Sequence, residues 1–181
     1  GHYWCQFAYQ FSQQFCRILA NYSRKTPVAN KWFEAALCQM AAIYTMRRMA
    51  VTWKTSPPYP QWKSYAASIR KYVDNLQKAE DKLPKGKTLA EWFRANSAAL
   101  RRNPNLREKN RIVANSLLGL FETYPEHWAA IGYLNAGEAA SDSFQDHLAN
   151  WHRQTPAKHR KIVSDIIKMF ELKVPKALPA K

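Results

Sequence analysis

Hydrophobic residues recur along this 181-residue chain at the three- and four-residue spacing of α-helices. The clearest pattern covers residues 61–82, where apolar side chains fall on one helical face and Lys and Arg fall outside it. The apolar positions are Trp62, Tyr65, Ala66, Ile69, Tyr72, Val73 and Leu76. This spacing predicts an amphipathic helix over 61–82.

The first fifty residues predict two further helices. Over about 3–23, large apolar residues at helical spacing form an aromatic stripe, and we expect this stripe to pack into the core. Its members are Trp4, Phe7, Phe11, Phe15, Ile18 and Tyr22. A second helix over about 27–53 begins at the capping signal Thr26-Pro27 and is apolar nearly all round in its middle. It is therefore expected to be the central, most buried helix.

The second half of the chain predicts shorter helices, which three capping boxes open. In a capping box, the first side chain and an acid three residues later satisfy backbone N–H groups at the helix start. The pairs are Thr88 with Glu91, Asn105 with Glu108, and Thr123 with Glu126. Two more helices are predicted over 138–152 and from Thr155-Pro156 to about residue 172.

These segments, together with only five glycines, predict an all-α protein, a single globular domain of about seven helices in an irregular helical bundle. The domain is expected to span 1–172, where Gly1-His2 resembles the remnant of a tag. Residues 173–181 are expected to form a flexible basic tail. The longest apolar run, 35–46, is too short to cross a bilayer.

Charge narrows the class of partner. The chain has 28 Lys and Arg against 13 Asp and Glu, a net charge of +15, and its 46% hydrophobic residues still suffice for a core. The cations are segregated: residues 1–73 contain ten of them and one acid, whereas residues 112–152 contain none and five acids. Such an excess favours polyanions, which should bind the basic regions and avoid the acidic one.

The three cysteines indicate reduced thiols rather than a disulfide framework. Cys5 and Cys16 share the first predicted helix, and eleven residues place them about 16 Å apart along its axis, too far for a disulfide. With Cys38 they make an odd number in apolar helices, which favours an intracellular, reducing, cytoplasmic location. No CxxC pair supports a zinc site.

Three of the five histidines lie between residues 147 and 159, which raises the question of a metal or catalytic site. His147 lies at the edge of an apolar face, His152 is expected in a turn, and His159 is expected to be half-buried and hydrogen-bonded. Nearby carboxylates, spaced i, i+4, i+8, point away from His147 and are expected to form a solvated face. They are Glu138, Asp142 and Asp146. We therefore expect no metal, no cofactor and no catalytic residues, and an enzyme built on convergence of these histidines with His127 is the least favoured interpretation.

The leading hypothesis from the sequence is a non-enzymatic basic helical module that binds nucleic acid, DNA or RNA, through the phosphate backbone, as a subunit of a nucleoprotein complex. The predicted binding residues are Arg47, Arg48, Lys63, Arg70, Lys71, Arg101, Arg102, Arg107, Lys109, Arg111, Lys158, Arg160 and Lys161. The alternative is a protein-interaction module, a scaffold subunit or an inhibitor, that docks on an acidic protein surface. A continuous basic groove would favour nucleic acid, whereas an exposed aromatic patch beside scattered basic residues would favour a protein partner.

Overall fold

The computed structural model of the protein describes residues 2–21, 26–137 and 143–173, and within these ranges it contains seven α-helices and no strand. The prediction of an all-α fold is confirmed. The α-helices are α1 (His2–Leu19), α2 (Lys31–Thr52), α3 (Tyr65–Asn75), α4 (Leu89–Arg102), α5 (Arg107–Thr123), α6 (Phe144–Gln154) and α7 (Arg160–Met169). Of the predicted basic tail, residues 174–181 lie outside the described ranges.

Short 3₁₀-helices lead into or connect the α-helices, and they explain where the predicted bounds differ. They cover Val28–Asn30, Pro60–Ser64, Ala79–Asp81, Pro125–Tyr133 and Ala157–His159. The helix predicted over 61–82 is α-helical only from Tyr65 to Asn75. The helix predicted to begin at Thr123 is instead the 3₁₀ segment Pro125–Tyr133, whose first residue is a proline without an N–H group.

Helix α2 is the centre of the fold, as its uniformly apolar middle predicted. It packs against α1, α3 and α5, and nearly all its residues from Trp32 to Ile43 are buried. Its first turn joins an aromatic cluster in which ring centroids lie about 5 to 6 Å apart, the range of favourable edge and offset contacts. The cluster consists of Trp32, Phe33, Phe93, Phe144, Trp151 and Phe170. This cluster fixes α4, α6 and α7 around one end of α2.

Only one of the three predicted capping boxes forms. The Thr88 hydroxyl accepts a hydrogen bond from the Glu91 backbone N–H at 3.1 Å, and the Glu91 carboxylate accepts one from the Thr88 N–H at 3.0 Å. The other two predictions are wrong. Helix α5 begins after Leu106, which is its N-cap and has no capping side chain, and the Asn105 N–H bonds to the Asn103 side chain rather than to Glu108. Thr123 belongs to the last turn of α5, where its hydroxyl donates to the Gly119 carbonyl.

A network of side-chain amides, which we call the Asn135 junction, fixes the end of α1. The Asn135 amide donates to the Ala20 carbonyl at 3.0 Å and to the Glu34 carboxyl of α2 at 2.8 Å. Asn21, in the left-handed region with φ 51°, donates to the Gly132 carbonyl at 2.8 Å. Burial raises the pKa of Glu34, while the bond from Asn135 and the nearby cation Arg17 lower it. The junction therefore joins α1, α2 and the segment Pro125–Tyr133.

Replacing Thr88 by Ala should lower the free energy of unfolding by about 1 kcal/mol, because an N-cap side chain of a formed capping box is lost. Thr123→Ala is the matched control, since its exposed hydroxyl caps no helix start, and a change within about ±0.5 kcal/mol is expected. Denaturant unfolding of both variants measures the difference. Equal destabilisation of the two would show that the Thr88 cap adds nothing.

Candidate functional site

The aromatic stripe of α1 lies on the surface, which corrects the prediction that it packs into the core. Its members Trp4, Phe7, Phe11, Phe15 and Ile18 are 67%, 65%, 69%, 50% and 70% exposed. We call these five residues the α1 stripe; Leu19 beside it is also exposed, and Tyr22 lies outside the described residues. The largest continuous apolar patch of a soluble protein is often functional, so the stripe is a candidate interaction site.

Small side chains on the opposite face of α1 explain its orientation. Cys5, Cys16 and Ala20 are buried, whereas the stripe residues project from the other side of the helix. Helical geometry, with about 100° per residue, places these two sets on opposite faces. The small residues allow α1 to pack closely on α2, and Tyr9 is the large ring of α1 that turns inward, toward α3. The run of Cys, Ser and Ala on one face was the sequence signal for this orientation.

Specific contacts hold α1 in this rotation. Tyr9 meets Tyr72 of α3 edge-on, with ring centroids 5.9 Å apart, and the Asn135 junction fixes the C-terminal end. Cys16 shares a hydrogen bond with Cys38 of α2, which together with burial raises the pKa of the Cys38 thiol. All three cysteines are free and buried. The outward direction of the stripe is therefore set by contacts along the whole helix.

Two apolar grooves border the α1 stripe, one at each end. The groove near the C-terminal end has a volume of about 580 Å³, and the groove near the N-terminal end one of about 540 Å³. Phe11 and Met49 line both grooves. The first is also walled by Phe15, Leu19, Tyr44, Trp128 and Ile131, and the second by Trp4, Phe7, Trp53, Trp62 and Tyr65. No Lys, Arg, Asp or Glu is among the residues that line either groove.

The polar rim of the stripe is uncharged up to the last turn of α1, where Arg17, half-buried and close to Glu34, lies beside Ile18. Residues 3–16 include no Lys, Arg, Asp, Glu or His, although the chain as a whole has a net charge of +15. Gln6, Gln10 and Gln14 are exposed along one side of the stripe. This absence of charge around an aromatic helix face was a second signal that sequence reasoning missed.

The thirteen predicted nucleic-acid-binding residues are distributed over α2, α3, α4, α5, α7 and two of the 3₁₀-helices. Seven of them interact within the protein, among them Arg111, which pairs with the buried Asp81 at 3.1 Å. The other six are Arg47, Arg70, Arg101, Lys109, Arg160 and Lys161. Exposed side chains are found at Arg48, Lys63, Lys71, Arg102, Arg107 and Lys158, which lie on six different elements. Seven of the predicted cations thus already have partners within the protein, and the other six have exposed side chains.

One group of these cations lies next to aromatic rings. Trp62 contacts Trp53 and Tyr59, with ring centroids 5.7 Å and 4.9 Å away, and Tyr59 is exposed. Lys54 and Lys63 directly follow two of these rings in the chain, and both are exposed. This aromatic cluster with adjacent cations borders the N-terminal groove of α1.

The histidines form one pair rather than a four-membered site. The rings of His127 and His159 lie 5.8 Å apart edge-to-face, and neither Nδ1 atom has a hydrogen-bond partner among the described residues. His152, predicted in a turn, is instead buried on α6, where its ring bonds to the Ser164 hydroxyl at 3.0 Å. Within the described ranges, no group of three His, Cys, Asp or Glu is placed to hold a metal ion.

His147 is half-buried beside Phe33, and desolvation lowers its pKa to about 4. Burial, with the cations Arg160 and Arg153, also lowers the pKa of His152. Of the predicted acidic face, Asp146 is exposed in the first turn of α6, whereas Glu138 and Asp142 lie outside the described residues. Desolvation of His147 stabilises its neutral form, which is the behaviour of a structural histidine.

Comparison of the chain with protein-family models, with curated proteins and with solved structures gave no match. In the described part of the chain, no helix is long and apolar enough to span a membrane. The function of the protein therefore has to be inferred from the geometry of α1, its two grooves and the exposed cations.

Stability should fall as the pH is lowered from about 6.5 to 4, because the unfolded state protonates His147 while the folded state keeps it neutral. The full loss from this group is roughly 3 kcal/mol, complete below the folded pKa and absent above pH 6.5. The slope of the free energy of unfolding against pH is set by the number of protons taken up on unfolding, and His147→Phe should lower that number by up to one. Denaturant unfolding across this pH range measures it in both proteins. Identical pH dependence of the two would contradict the assignment.

Proposed function

We propose that this protein is a non-enzymatic helical module that docks on a partner protein through the α1 stripe. The observation that carries this proposal is the exposure of five large apolar side chains on a helix whose opposite, small-residue face is the one that packs. The free, buried thiols fit a reducing compartment inside a cell.

The apolar area of the stripe supports docking. Four aromatic rings, each exposed by half or more, present roughly 500 Å² of surface. This is on the order of the largest apolar patch of an ordinary monomer, and such patches are often functional. Burying it would release about 25 cal/mol for each Å², so a partner that covers the stripe gains a large hydrophobic contribution.

The chemistry of the stripe favours protein over the other surfaces it could meet. Amphipathic helices that bind membranes carry several Lys and Arg on their polar side, whereas the rim here has three glutamines and the single, half-buried Arg17. Bases stack on aromatic rings, but Ile18 and Leu19, at one end of the surface, offer no ring. Apolar grooves beside aromatic anchors are typical of the pockets that hot-spot residues fill.

A photo-reactive benzoylphenylalanine at Phe11 should form a discrete protein adduct in cells, because Phe11 is central in the stripe and borders both grooves. The matched control places the same probe at Val51, an exposed apolar residue of α2 outside the stripe. Adding Phe7→Asp to the probed chain should reduce the adduct at least about thirtyfold, the effect of losing a hot-spot aromatic. Equal labelling at Val51, or no protein adduct at Phe11, would contradict the proposal.

Nucleic-acid binding is the second candidate, and the aromatic cluster at Trp53, Tyr59 and Trp62 favours it. Exposed Lys54 and Lys63 could contact phosphates while unpaired bases stack on exposed ring faces. The positions of the carboxylates also favour this candidate. Many of them are engaged in ion pairs or caps, which leaves less free negative charge on the surface to repel phosphates. Examples are Asp74, Glu122 and Glu171, which pair with arginines. The exposed charge that stays available is therefore mainly positive.

Such binding should depend strongly on salt and weakly on sequence, since neutralised phosphates release counterions. Lys63→Glu with Lys71→Glu should weaken binding to all oligonucleotides. It should also flatten the log–log salt slope by about 0.7 for each phosphate of a single strand that is no longer neutralised. Arg94→Glu with Lys168→Glu is the control, because it changes the net charge equally at two cations already in ion pairs. Titration of labelled single- and double-stranded oligonucleotides tests this. Equal weakening in both variants would leave only a non-specific effect of net charge.

A further inference from the structure

We infer that the partner of the α1 stripe is a second copy of this chain, paired with the first through antiparallel α1 helices about a two-fold axis at Phe11. This inference depends on the proposed function, that the stripe docks on protein, and it names the occupant. Four observations lead to it: the spacing of the stripe, its neutral rim, its area and the position of the grooves.

The spacing of the stripe is that of a helix–helix seam. Steps of three, four, four and three residues separate its five members, an average of 3.5 residues. This average equals the repeat at which two α-helices pack knobs into holes, and the two consecutive four-residue steps at Phe11 correspond to a local stutter in that repeat. A helical partner therefore fits the stripe better than an extended peptide, whose side chains alternate with a period of two.

The same steps read identically in both directions from Phe11. In an antiparallel pair, Phe11 meets Phe11 of the second copy, Phe7 meets Phe15, and Trp4 meets Ile18. The two off-axis contacts then each occur twice and the Phe11 contact lies on the axis, as an isologous two-fold interface requires. Antiparallel helices also place opposite ends of their dipoles side by side.

The neutral rim suits a second copy better than an acidic partner. Two chains of +15 repel each other, so a self-contact has to lie where charge is absent. The helical segment 3–16 meets this condition, since it contains no Lys, Arg, Asp, Glu or His, and the half-buried Arg17 follows it at the C-terminal end. Gln6, Gln10 and Gln14 can both donate and accept hydrogen bonds, so this rim is complementary to itself. An acidic partner would be expected to face a basic rim instead.

The available surface is enough for a specific dimer. A standard interface buries about 800 Å² on each partner. The stripe supplies a large part of this area, and the groove walls at Tyr44, Met49 and Trp53 lie alongside it. Two-fold pairing also lays the Trp4 end of one copy over the C-terminal groove of the other. The grooves, of about 580 and 540 Å³, then each receive apolar side chains.

The first measurement is the mass of the whole chain in solution. Sedimentation at about 100 µM protein, well above the micromolar Kd range of a specific complex, should give twice the chain mass of 21.0 kDa. Phe11→Glu should raise the dimer Kd at least about thirtyfold, whereas Val51→Glu should leave it unchanged. Because Phe11 and Val51 are both exposed, circular dichroism should show the same helical fold for all three proteins.

The second measurement tests the symmetry by thiol cross-linking with copper phenanthroline in air. Phe11→Cys, on the axis, should link to itself and give a covalent dimer. Trp4→Cys and Ile18→Cys should each link poorly alone, and a mixture of the two should give the mixed dimer. Self-linking of each single variant would indicate parallel helices and overturn the antiparallel arrangement. The native cysteines are buried, so the unsubstituted protein is the background control.

The two proposals fail in different ways. A monomeric wild-type chain whose Phe11 photo-probe still labels a different protein would overturn the second copy and leave the docking function standing. A monomeric chain with no protein adduct would overturn both. Binding of the wild type, but not of Phe11→Glu, to vesicles of neutral and anionic phospholipid, without dimer formation, would also overturn the inference in favour of a membrane surface.

Discussion

The close packing of α1 on α2 through small side chains is the contact on which the rest of the surface depends. Cys5, Cys16 and Ala20 leave enough space for the two helices to approach, and they turn every large residue of the α1 stripe outward. Interiors are packed nearly as densely as organic crystals, so one rotation of the helix excludes the other. The small residues of α1 thus determine the direction in which the residues of the α1 stripe point.

Helix positions could be predicted from the sequence because periodicity reports which residues share a face. The burial of α2 followed from the same reasoning, since a helix that is apolar all round has no polar face to expose to solvent. The direction of the α1 stripe could not be predicted in this way. An apolar face must be covered, but its spacing does not say whether its own chain or another molecule covers it. Cys16 and Ala20, which count as ordinary apolar residues in the pattern, determine the orientation of α1.

The same limit of sequence-based prediction applies to the candidate sites formed by the histidines and the cations. That His147 is structural could be argued from its place on an apolar face, whereas the meeting of His127 with His159 depends on how the segment Pro125–Tyr133 folds against the start of α7. Charge counts predicted a basic protein but not which cations are engaged. Arg111, a candidate for phosphate contact, instead pairs with the buried Asp81, because a carboxylate in the interior requires a partner.

The Asn135 junction has a consequence for how the protein fluctuates. One amide side chain bonds to the last turn of α1 and to the buried Glu34 of α2, and it lies just after the segment Pro125–Tyr133. Release of any one of these leaves polar groups in the interior without partners, which is costly. The two hydrogen bonds tie together segments more than a hundred residues apart in the chain, and we expect these segments to open as one cooperative unit. A partner that holds α1 from outside would then also restrain the segment on the far side of this junction.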